Sequence, residues 1–166
     1  MTIQFDVLGS TLMLDDGVYP SRLDVELTLT NVKRDACIVL PFHNGADLGL
    51  ECAFIVPENY ASSPVLRLMG IIDGTPANVF GVGAQLLERA LSDSVDVAYE
   101  AEDLASNSTW TGYADEDEYS IDITLTPSAA LTPGRKVYIR LYRDDSVDTQ
   151  TINFLLTHLL FRYTQS

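Results

Sequence analysis

The sequence predicts an all-β protein, an antiparallel sandwich or barrel of about nine or ten strands. Three observations carry that expectation. Apolar and polar residues alternate with a period of two over several segments, above all in the C-terminal third. Those segments are separated by clusters of Gly, Pro, Asn and Asp. The chain also carries eight tyrosines, six phenylalanines and one tryptophan, residues that suit a pleated, half-buried surface.

Along the chain, residues 3–8 and 11–14 are short apolar segments broken at Gly9-Ser10, readable as a first hairpin or an extended arm. Leu23, Val25, Leu27 and Leu29 alternate with Asp24, Glu26, Thr28 and Thr30, a strand with one wet face. Two runs follow, CIVLPF and LECAFIVP, with Pro41 and Pro57 expected at strand ends because proline cannot donate to a ladder. A tight hairpin on Asn44-Gly45 would set Cys37 opposite Cys52. It would also place Ile38, Leu40 and Phe42 opposite Glu51, Gly49 and Asp47, mixing polar and apolar on one face. A longer connection with two free, buried thiols is the expectation.

A loop over ENYASSP then leads into VLRLMGII, where Leu66, Leu68 and Ile72 oppose Val65, Arg67, Met69 and Ile71. Residues 78–91 fit a strand to about residue 87, because Gly81 and Gly83 would each weaken a helix by about 1 kcal/mol relative to Ala. Val95, Val97 and Tyr99 suggest another strand, and residues 102–118 a polar loop holding Trp110. In the C-terminal third, Tyr119, Ile121, Ile123 and Leu125 alternate with polar residues, and so do Val137, Ile139 and Leu141. The run from Ile152 to Tyr163 is almost continuously apolar, as in a strand covered on both sides. These three strands are expected to form the centre of one sheet.

The chain has 166 residues, 46% of them apolar, enough for one domain with a real core. Its formal charge is −14, from 24 acidic and 10 basic side chains, which argues against general binding of nucleic acid. Between Arg89 and Arg135 there is no basic residue, while Arg135, Lys136, Arg140, Arg143 and Arg162 come after that gap. The bland reading is a solvated acidic surface; the sharper one is an acidic face toward water and a neutral or basic face toward a partner. No apolar run approaches the ~20 residues of a membrane span, and MTIQFDVLGS lacks the pattern of a secretion signal, so a soluble protein is expected.

Candidate chemistry is sparse. His43 lies in a turn and His158 in an apolar strand, each more simply read as structural than as a ligand or base. No Gly-x-Ser-x-Gly elbow is present, and Gly81-Val82-Gly83 is half a dinucleotide fingerprint without its context. Asp115-Glu116-Asp117-Glu118 is rich in oxygen but lacks the spaced ligands and pivoting glycine of a calcium loop. Arg143-Asp144-Asp145, with Asp148 beyond, is the most structured polar cluster. Arg143 is expected to pair with one of these aspartates and close the loop between two strong strands. No catalytic, cofactor-binding or metal-ligating residue is assigned.

The second part of the chain, about residues 36–164, resembles a jelly-roll module of tailed-bacteriophage structural proteins. The matching residues are Pro57 and Tyr60; Phe80, Gly81 and Val82; Leu131, Thr132, Pro133 and Gly134; Val137, Arg140, Leu141, Arg143 and Asp144; Asp148; and Leu159 to Tyr163. Residues 1–35 depart from the pattern and read as an N-terminal arm or added hairpin on the jelly-roll sandwich of residues 36–166. The resemblance implies a non-enzymatic virion protein, assembled in the host cytoplasm, that decorates the capsid or belongs to a head fibre or the tail. It further implies a homo-oligomer, a trimer being favoured, that binds the major capsid protein without cofactor, nucleic acid or membrane. The alternative is a ligand-binding β-sandwich, such as a carbohydrate- or receptor-binding tail module, with Trp110 and Tyr113 as its aromatic platform.

Overall fold

The structure is a computed structural model that describes residues 1–6, 12–14, 38–40, 49–90, 92–94, 97–107, 113–144 and 146–166. All ordered elements among them are strands: β1 (Thr2–Asp6), β2 (Leu12–Leu14), β3 (Ile38–Leu40), β4 (Gly49–Ile55), β5 (Tyr60–Asp73), β6 (Phe80–Arg89), β7 (Asp103–Asn107), β8 (Glu118–Thr124), β9 (Lys136–Arg143) and β10 (Asn153–Gln165). They form two five-stranded sheets. The first runs β1-β10-β5-β8, with β3 also pairing with β10; the second runs β2-β4-β9-β6-β7.

Set β1 and β2 aside and the topology is plain. The eight strands from β3 to β10 lie in the orders β3-β10-β5-β8 and β4-β9-β6-β7, all paired antiparallel. This interleaving of two Greek keys is a jelly roll. The additional strands sit at the edges. β1 continues the position of β3 along β10, pairing Thr2 with Thr164, while β3 pairs Leu40 with Phe154. β2 pairs with Leu50–Cys52 of β4.

Period-two patterning builds the core. Tyr119, Ile121 and Ile123 of β8 point inward, as do Val137, Ile139 and Leu141 of β9, and Leu66, Leu68 and Ile72 of β5. Phe80 and Phe154 meet across the sandwich with ring centroids 5.0 Å apart, and Phe54 meets Phe161 at 4.5 Å. Burying each such side chain contributes about 1.5–3 kcal/mol. Cys52 is fully buried in the core; Cys37 lies outside the described residues.

Four expectations need correction. The three C-terminal strands do not share the centre of one sheet: β9 is the middle strand of one sheet, β10 an inner strand of the other, and β8 that sheet's edge. Alternation specifies a buried face but not which layer the strand joins. β5 begins at Tyr60, so the expected loop over residues 58–64 is largely strand, with Ser63 at φ 58° beside an irregular register. Of the expected strand at Val95–Tyr99, residues 97–99 are not strand, and Val97 is half exposed; Val95 lies outside the described residues. The strand forms instead at β7, within the expected polar loop, where β6 supplies the pairing partner. The expected strand at Leu23–Leu29 lies outside the described residues.

Candidate functional site

The most developed polar cluster stands where β9 ends. There the chain turns through residues 144–150 and packs against the start of β6. Asp144 N donates to Gly81 O at 3.2 Å, and Thr149 N and Gln150 N both donate to Val79 O, at 2.9 and 3.0 Å. Asp144 Oδ1 accepts from Ser146 N at 2.8 Å and from the Ser146 hydroxyl, an Asx turn that fixes the corner. Gly81 makes the close approach possible. A Cβ there would lie 2.6 Å from Val147 Cγ2 and 2.7 Å from Asp148 N.

Arg143 is the keystone. Its Nε and Nη2 reach Asp148 Oδ2 at 2.6 and 2.5 Å, Nη2 also donates to Gln150 O at 2.8 Å, and Nη1 donates to Ile152 O at 2.5 Å. The guanidinium lies 5.4 Å from the centre of the Phe80 ring. Asp148 Oδ1 accepts from Gly81 N at 3.2 Å and Gln150 N at 3.3 Å. Of the expected partners of Arg143, Asp148 is paired with it; Asp145 lies outside the described residues.

Both members of the pair are only 3% exposed. Burial pulls the Arg143 guanidinium below its usual value and pushes the Asp148 carboxyl above its own, against their mutual attraction. The cost of desolvating two charges thus opposes their Coulomb attraction. Only N–H donors face the two oxygens of Asp148, which is the arrangement of a carboxylate, and we read the pair as ionised.

A second carboxylate joins this corner. The Tyr142 hydroxyl donates to Glu102 Oε1. Burial raises the Asp144 carboxyl, but the Ser146 hydroxyl, the Glu102 carboxyl and the N–H groups of Ser146 and Val147 outweigh it and hold it below the usual aspartate range. Neither Glu102 nor Gln150 is singled out by sequence reasoning. The signal lay in Gly81 and Gly83, since glycine inside a strand marks a place where something approaches closely.

Other acids tie loops down in the same way. Asp103 accepts from Thr126 N at 2.8 Å and its hydroxyl at 2.5 Å, and Glu100 from Ser128 N at 2.7 Å and its hydroxyl at 3.0 Å. In the acidic run, Asp115 Oδ1 accepts from Gly74 N and Asp117 Oδ2 from Ala114 N, each at 2.7 Å. Among the described residues no group of three or more His, Cys, Asp or Glu is placed to hold a metal ion. His158 is exposed on β10, its Nδ1 3.1 Å from Thr157 Oγ1. His43 and Trp110 lie outside the described residues, and Tyr113 stands edge-on to Tyr119 at 5.2 Å.

The two outer faces differ. On the β10-β5-β8 sheet, Asp122 takes two bonds from Arg67, at 2.6 and 2.8 Å, and one from Arg162 at 3.0 Å, closing a charged triad. On the other sheet Tyr138 has the Lys136 ammonium 4.6 Å and the Arg89 guanidinium 5.6 Å from its ring centre. Arg140 lies 5.6 Å from the Tyr142 ring and donates to Gln85 at 3.3 Å. No protein-family model matches the sequence, and comparison with curated proteins finds no match.

Proposed function

We propose that this chain is a non-enzymatic virion structural protein that self-associates and decorates a capsid shell built by a major capsid protein. The observation that supports the reading is how the residues of the phage-like pattern are used. Phe80, Val82, Val137 and Leu141 fill the core. Thr132–Arg135 is a hydrogen-bonded turn with Gly134 at φ 79°, the type II turn that a Pro-Gly pair favours. Arg143, Asp144 and Asp148 spend their polar atoms on the corner between β9 and β10. The pattern thus describes a rigid building block. Tyr113 and Tyr138, the first exposed and the second half-buried on an outer face, suit packing between subunits, since Tyr gives amphipathic contact area at low entropic cost.

The test is binding to shells. Purified chain should co-sediment with capsid shells that lack it, saturating at a fixed number of copies per shell, and electron microscopy should show it on the outer surface. Absence of the chain from purified particles, together with failure to pellet with shells, would overturn the proposal. The second reading is a carbohydrate- or receptor-binding tail module, favoured by Tyr113, 40% exposed beside Tyr119. A glycan array on which binding is lost in Tyr113→Ala would select it.

A further inference from the structure

We infer that the outer face of the β4-β9-β6 sheet is the surface on which a second copy of this chain docks the acidic turn of residues 115–118. The inference rests on the self-association in the proposed function and names its two surfaces. Three strands in register build the receiving face. Lys136 lies between Ile55 and Arg89, Tyr138 between Ala53 and Leu87, and Arg140 between Glu51 and Gln85. Ile55 is 56% exposed, unusual for an isoleucine in a strand. Tyr138, Arg89 and Arg140, next to an exposed aliphatic residue, are of types enriched at protein interfaces. On a chain of net charge −14 this face carries Lys136, Arg89 and Arg140 against one acid, Glu51, a balance that favours an acidic partner.

The acidic partner is found on the chain itself. Asp115, Glu116 and Glu118 are exposed, and Asp73 and Asp117 half-buried, where β5 ends and β8 begins. The receiving face runs along β9 from Lys136, near where the chain leaves β4 for the start of β5, to Arg140. The acidic turn bonds to Ile72 and Gly74 at the other end of β5. Fourteen strand residues separate the two ends of β5, roughly 40 Å at the usual rise. One copy cannot bring its own acidic turn onto its own basic face. A neighbouring copy can, in a head-to-tail contact, which yields a ring if the rotation closes.

Sedimentation velocity on the full chain tests this. The wild type should associate at low salt and dissociate as salt rises from about 50 mM to about 0.5 M. Lys136→Glu/Arg140→Glu and Glu116→Lys/Glu118→Lys should each weaken association by more than about tenfold, with circular dichroism confirming that both remain folded. Mixed together, the two variants should associate again, since each junction between unlike variants joins opposite charges. A wild type that stays monomeric at low salt, variants that associate as tightly as wild type, or a mixture that does not recover would each overturn the inference. Monomers that still pellet with shells would remove this interface and the self-association, and leave the capsid-decorating role standing.

Discussion

Asp148→Ala removes the acceptor that holds the corner between β9 and β10. The magnitude follows from what is left behind. Arg143 stays buried and loses the Asp148 carboxylate, keeping among the described residues its bonds to the carbonyls of Gln150 and Ile152. Gly81 N loses the side chain it donates to, whereas Gln150 N keeps Val79 O at 3.0 Å. Breaking a buried ion pair from one side costs about 3–5 kcal/mol, and an orphaned buried N–H about 1–3. These effects overlap, so we expect a loss of about 4–5 kcal/mol, or about 10–15 °C in Tm for a domain of this size. Urea denaturation followed by circular dichroism measures it. In Arg143→Met/Asp148→Leu both charges leave together, and the cost should fall to about 2 kcal/mol or less. A loss below about 1 kcal/mol in Asp148→Ala, or a double variant less stable than the single one, would refute the reasoning.

Gly81→Ala should destabilise by more than about 1 kcal/mol, because the new methyl meets the backbone N of Asp148 as well as a movable side chain; thermal unfolding reads this directly. Acid should act through Asp122, held below the usual carboxylate value by Arg67, and through Asp144. Their contribution is complete above the ordinary aspartate value of 3.8 and is lost as pH falls through their lower folded values. Arg67→Met should therefore flatten the fall of Tm below that pH. Asp148 has the opposite sign, its contribution being present below 3.8 and lost as pH rises through its raised folded value. In an Asp122→Asn/Asp144→Asn background, Tm should fall with rising pH across that range. Glu116 sits at φ 70°, so Glu116→Gly should raise stability by up to about 1 kcal/mol in chemical denaturation.

Much of the sandwich was legible because β5, β8 and β9 each write their buried face as every second residue. β7 was not. Asp103–Asn107 carries one leucine, and that leucine is 47% exposed; the strand exists because β6 offers it a ladder. The Val-rich stretch around residue 97 reads more like a strand than β7 does, yet residues 97–99 are not strand. At the corner, Arg143 and a downstream aspartate could be named in advance, since a charged pair flanking a short loop is a local arrangement. Glu102 and Gln150 could not, because what brings them in is the packing of a distant strand on Gly81 and Gly83. The basic face was legible only as a bias in where the positive residues occur. Placing Lys136 beside Ile55 needed the register of β4 on β9.

The position of β10 sets a schedule for folding. β1, β3 and β5 all hydrogen-bond to this one strand, and Thr2 finds its partner in Thr164. During synthesis β10, the partner of β1 and β3 among the described residues, emerges only when the chain beyond residue 153 has been made. Pairings of such long range make for slow folding and for edges left open meanwhile. The five residues of β1 would fit the matching edge of any other copy waiting in the same state. Crowded synthesis, more than heat, is then the condition under which this chain is most exposed to pairing wrongly with itself.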